Sequence, residues 1–188
     1  MRSTSGGSVG VQGATETASW GFWLAWAAAV AFLVVTTLSM PTMVGGKFNI
    51  AGEMNRLMPR AVYLSFQLVM FVTGPVLMLW LPPWMAKRGS AYLRLPNKDY
   101  WLAPENRAKT AAMLIKQGKE LTIALLAFSS FKHWMVVQAH QQATPVLDTR
   151  ALLVGTVVFV VGVAFWVVAK YFQWQPPSLD SDAQGEKQ

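Results

Sequence analysis

Long apolar runs alternate with short polar connectors along this chain, and four of the runs reach membrane length. Residues 20–40, 60–81, 120–140 and 151–172 each come close to the ~20 predominantly apolar residues that a helix needs to cross hydrocarbon. Residues 1–18 are rich in Gly, Ser and Thr, with Arg2 and Glu16 as their charges, and bury too little apolar surface to order themselves, which predicts a flexible tail. A cleaved signal peptide is the competing reading, but its apolar stretch would be shorter than the run at 20–40. Residues 176–188, polar and mostly acidic, read as a second flexible tail. The expected fold is an all-α membrane protein: a four-transmembrane-helix antiparallel bundle over residues 19–175, with a basic cytoplasmic loop and a short interfacial helix.

Within this frame, Trp20, Trp23 and Trp26 fall on roughly one helical face, where packing or lipid anchoring explains them better than a binding site. Residues 40–59 (MPTMVGGKFNIAGEMNRLMP) carry a glycine pair, an Asn and a further glycine, the composition of an outer loop with tight turns. In the second run, Pro75 lacks an N–H and frees a backbone carbonyl. That group needs a partner from Thr73, a neighbouring helix or water, so the kink is expected to face protein. Pro82-Pro83 predicts the helix end. Residues 106–119 place Ala111, Leu114 and Ile115 on one side and Arg107, Lys109, Lys116 and Lys119 around the other, as a short amphipathic lead-in lying at the headgroups does. In the fourth run, Gly155 and Gly162 permit close approach of a neighbour, and Lys170, Tyr171 and Trp174 mark the interface.

Composition strengthens the bilayer assignment. Charged residues make up 13% and hydrophobic residues 53% of the 188, with mean hydropathy +0.32, whereas a soluble domain carries about 25% charged residues. Without cysteine there is no disulfide, thiolate metal site or cysteine nucleophile. The net charge of +7 does not point to nucleic acid, because no groove-reading motif accompanies it and the basic residues cluster between spans, beside anionic lipid. With the N-terminus inside, eleven Lys and Arg are cytoplasmic, eight of them in the central loop (Lys87, Arg88, Arg94, Lys98, Arg107, Lys109, Lys116, Lys119). Four lie outside (Lys47, Arg56, Arg60, Arg150) and Lys132 stays in the membrane, so both termini are expected in the cytoplasm.

Two places carry candidate chemistry. Lys132-His133 sits inside the third run, where charge is costly unless paired, hydrated or able to snorkel. The functional reading turns both side chains toward the bundle interior as a polar pair or proton-sensitive site, with His140 on the face of His133 and Glu53 approaching from the outer loop. The plainer reading lets the Lys132 stem reach the interface. A metal site would need at least three converging ligands and is not expected, nor is any cofactor. The second place is LPNKDYWLAPENR, residues 95–107, where Pro96 and Pro104 bracket Asn97, Lys98, Asp99, Tyr100 and Trp101. It reads as an interfacial plug closing the cytoplasmic ends of the second and third spans, with Asp99 and Glu105 pairing Lys98 and Arg107, or as a docking surface for a cytoplasmic or membrane partner. No nucleophile, base and orienter stand together, and no glycine-rich phosphate loop is present, so an enzyme is not expected.

The central motif resembles one that follows the second span in bacterial membrane proteins of domain-of-unknown-function family 1648, similar to the N-terminal part of SdpI-type immunity proteins. KFNIAGEMN, residues 47–55, is similar to that family's outer-loop pattern, with Lys47 where the pattern has histidine and with the pattern's proline not in place, Pro41 lying nearby. The lysine tells against metal binding there. The resemblance spans residues 20–174 and implies a four-span bacterial inner-membrane protein with an immunity or signalling role and no catalytic residues. The alternatives are a noncatalytic subunit of a larger membrane complex and a small ion-coupled transport component. Expected partners are the bilayer, including its anionic lipids, and a membrane protein or second copy.

Overall fold

Element boundaries follow from where backbone donors and acceptors are lost and recovered. In the computed structural model, which describes residues 9–89 and 92–175, the order is α1 (Val9–Leu38), β1 (Met43–Phe48), β2 (Met54–Pro59), α2 (Arg60–Lys87), α3 (Lys98–Trp101), α4 (Arg107–Ala139) and α5 (Thr149–Gln173). Four helices, Trp20–Leu38 within α1 and the whole of α2, α4 and α5, are long and apolar enough to cross a membrane, so the chain is a multi-pass membrane protein. Their outward surfaces are apolar, with Val, Phe and Leu side chains such as Leu24, Phe66 and Phe165 exposed.

Several boundaries differ from the expected ones. The backbone is helical from Val9, well inside the stretch read as a tail, while residues 1–8 and 176–188 lie outside the described residues. Residues 43–59 form an antiparallel hairpin, so the protein is not purely helical. Its register shifts at Gly46 and Asn55, and such bulges hide the strict alternation that marks a strand in sequence. The helix α2 does not stop at Pro82-Pro83 but runs to Lys87. Proline already has a helical φ, and lipid gives the chain no alternative to helix. The amphipathic lead-in is continuous with the third span in the 33-residue α4 rather than a separate interfacial helix, because no proline intervenes. The short helix of the loop is α3.

The chain forms two compact units: one from the chain up to Gly74 together with Thr122–Gly155, the other from Pro75–Leu121 together with Thr156 onward. In the first unit, Leu33, Phe71 and Leu126 form a buried cluster, and Met40, Val44, Tyr63 and Val137 another beneath the hairpin. The Arg60 guanidinium donates to the Leu38 and Met40 carbonyls at 2.8 and 2.7 Å, closing the open end of α1. Asp148 accepts from the Arg150 and Ala151 N–H groups at the start of α5. Leu147 N–H donates to Gly52 at 2.8 Å, tying the hairpin tip to the α4–α5 connector. Gly52 has φ +85°, and a Cβ there would lie 2.1 Å from the Leu147 carbonyl oxygen, so only glycine fits.

In the second unit, Ala86, Leu102 and Ala111 are buried together. Pro82 deprives the Met78 carbonyl of its helical donor, and Gly118 of α4 comes so close to that oxygen that a Cβ would lie 3.0 Å away. Lys170 pairs with Glu120 at 2.6 Å, and Trp166 Nε1–H donates to the same carboxylate at 2.9 Å.

Candidate functional site

Polar side chains inside the spans of the first unit are joined into a directed chain around His133, which is fully buried. Thr36 Oγ1 lies 2.6 Å from the Phe32 carbonyl, an acceptor only, so the hydroxyl hydrogen points there. Thr36 therefore accepts from His133 Nε2–H at 2.7 Å. That places the imidazole proton on Nε2 and leaves Nδ1 to accept from the Tyr63 hydroxyl at 2.8 Å. Tyr63 in turn accepts from Gln67 Nε2–H at 3.2 Å. Every polar atom of the ring is matched, as a group shielded from water requires. Phe32 edge-on and Tyr63 stacked at 5.8 Å enclose the ring.

Seven residues on, just past the last residue of α4, His140 does a different task. Its Nδ1–H donates to the Val136 carbonyl at 2.8 Å and its Nε2 accepts from Gly45 N–H at 2.8 Å. The imidazole thus seats the hairpin on the helix by supplying an acceptor that β2 does not. Glu53 does not join the histidines. It lies in the hairpin turn, where the Asn49 amide donates to its carboxylate at 2.8 Å and the Asn49 carbonyl oxygen accepts from its N–H.

Lys132 does not pair with His133 in the interior. It is exposed, with Nζ 5.0 Å from the centre of the Phe128 ring, and it lines a cleft of about 560 Å³ between the hairpin, α2 and α4. Lys47, Tyr63, Gln67, Met58 and Val136 are among the other walls. No carboxylate lines it. A second groove of about 480 Å³ runs along α2, sharing Val62 and Phe66 with the cleft and continuing over Ser65, Val69 and Met70.

The central motif acts on the end of α5, within the second unit. Asn97 adopts the left-handed conformation (φ 50°), which Asn tolerates better than most residues, and its Nδ2–H donates to the Trp174 carbonyl at 3.1 Å. Trp101, 3% exposed, donates Nε1–H to the same oxygen at 2.8 Å and meets the Trp174 ring edge-on at 5.2 Å. Thr110 Oγ1–H fixes the Trp101 carbonyl at 2.7 Å, and Tyr100 packs edge-on against Trp101. Asp99, Pro104 and Glu105 are exposed, and Lys98 begins α3. Arg107 does not pair with Glu105: its Nε–H donates to the Leu102 carbonyl at 2.9 Å.

Sequence reasoning missed Thr36 and Tyr63 as partners of His133, and Gln67 as the donor to Tyr63. Their signal was present, since each is a polar residue inside an apolar run. It also missed the use of Trp26, whose Nε1–H donates to the Phe71 carbonyl at 2.8 Å, the group that Pro75 leaves without a helical donor. Compared with protein-family models, curated proteins and solved structures, the chain matches none.

Proposed function

We propose that the chain is a noncatalytic bacterial inner-membrane protein that acts by interaction, as immunity and signalling proteins do. In this reading its four spans pack as an antiparallel bundle, with both termini and the basic loop in the cytoplasm and the hairpin outside. The supporting observation is how its polar groups are used. His133 has both ring nitrogens engaged, and Asn97 and Trp101 hold the end of α5. The lysine-lined cleft, in turn, sets polar groups among apolar walls. The eleven-to-four bias of Lys and Arg supports the orientation, and the class is proposed from the resemblance read in residues 47–55 and 95–107.

Because the chain lacks cysteine, single introduced thiols report on topology without background. Ile50→Cys, at the hairpin tip and 97% exposed, is expected to react with a membrane-impermeant maleimide in intact spheroplasts, and Asp99→Cys only after lysis. The reverse pattern overturns the orientation. Cells expressing the chain are expected to survive a membrane-active peptide at concentrations that kill cells without it, and equal killing removes the immunity role. A noncatalytic subunit is the second reading, favoured by α5, none of whose residues is buried. It requires a stoichiometric partner on purification in mild detergent.

A further inference from the structure

The cleft has an uneven character that the interaction role alone does not explain. Two lysines, Lys47 and Lys132, line one cavity with no carboxylate among its walls. Across the hairpin, Lys47 is in register with Arg56, so two cations face each other where opposite charges would be favourable. Such unbalanced positive charge next to a membrane span calls for an anion. Apart from Gln67 and the Tyr63 hydroxyl the other side chains of the cleft are apolar, and two of them, Val62 and Phe66, also line the groove along α2 together with Val69 and Met70. A cleft with two lysines beside an apolar groove on a helix of membrane-spanning length is complementary to a molecule with an anionic head and a hydrocarbon chain. The cleft, about 560 Å³, is in the range of ordinary small-molecule sites.

We propose that this is a binding site for one anionic phospholipid of the bilayer, its phosphate held by Lys132 and Lys47 and an acyl chain laid along Val62, Phe66 and Met70. The Gln67 amide, with one N–H on Tyr63, has a second N–H for a phosphate oxygen. Lys132 then remains in the span without a protein carboxylate because a lipid supplies the counter-charge. The site deepens the interaction reading, since an immunity-type protein that grips a defined lipid can sense or shield the surface that a membrane-active agent attacks.

The test is native mass spectrometry of the full chain in mild detergent, titrated with phosphatidylglycerol or with phosphatidylcholine of the same acyl chains. One phosphatidylglycerol should be retained in preference. Lys132→Met and Lys47→Gln should each weaken it about fivefold, the weight of one basic side chain on anionic lipid. Lys98→Gln, in the other unit, should leave it unchanged, and Met70→Trp, which fills the groove, should weaken both lipids. Tryptophan fluorescence melts confirm that each variant is folded. Equal retention of the two lipids, or equal loss with Lys98→Gln, overturns the proposal, as does displacement by millimolar inorganic phosphate, which assigns the site to a free anion. The maleimide pattern at Ile50→Cys and Asp99→Cys is independent of lipid retention, so loss of the lipid site and loss of the topology reading are told apart.

Discussion

The two units solve one problem, a backbone carbonyl without a donor in a dry place, by the same device with different reach. In the first, Trp26 of α1 donates to the Phe71 carbonyl that Pro75 leaves free, across 45 residues of sequence. In the second, Trp101 donates to the Trp174 carbonyl just past the last turn of α5, with Asn97 as a second donor. An indole serves both because it combines a large apolar body with a single donor. The surroundings differ. The second unit's donors come from one dense, local motif, whereas the first unit joins Thr36, Tyr63, Gln67 and His133 from three helices into one network. A locally built clamp should fail locally, and a network built across helices should fail as a whole.

His133→Ala is the sharpest way to break that contrast. It leaves the Tyr63 hydroxyl without an acceptor and opens a cavity, and should cost about 3 kcal/mol, read as a large fall in the thermal midpoint in detergent. Gly52→Ala should follow at about 2 kcal/mol, because its φ and the Leu147 carbonyl both oppose a Cβ, with protease sensitivity appearing at the hairpin while the midpoint moves less. Trp101→Phe keeps the ring but loses its donor to Trp174, and should cost about 1–2 kcal/mol with new cleavage confined to residues 97–107. Trp26→Phe should cost about 1 kcal/mol alone and close to nothing in a Pro75→Ala background, where residue 75 regains its own N–H; an unchanged cost there would show that Trp26 acts by packing. Lys132→Leu should alter stability by no more than about 0.5 kcal/mol, since the side chain is exposed, and a larger loss would return it to a structural role.

The central motif was legible in part. Leu102 packs with Ala86 of α2 and Ala111 of α4, the helices whose ends the motif was expected to close, but Trp101 is buried and tied to Trp174 past the end of α5, and the ion pair expected for Arg107 is absent because that guanidinium meets a backbone carbonyl at 2.9 Å. The need of the Pro75-freed carbonyl for a partner was legible too, and the identity of the partner was not. Lys132-His133 stood out as two polar residues in one span, yet a helix turns neighbours about 100° apart, so one is buried and the other exposed.

What the chain determines by itself is set by contiguous residues: apolar runs long enough for hydrocarbon, a proline that must free a carbonyl, and an excess of basic residues in one connector. Such properties depend only on near neighbours in sequence and on the solvent around them. The seating of the hairpin on His140 and the hydrogen-bond order at His133 belong to the tertiary structure. Each requires groups far apart in the chain to meet, Thr36 and His133 across 97 residues or Gly45 and His140 across 95, and only packing decides which donor finds which acceptor.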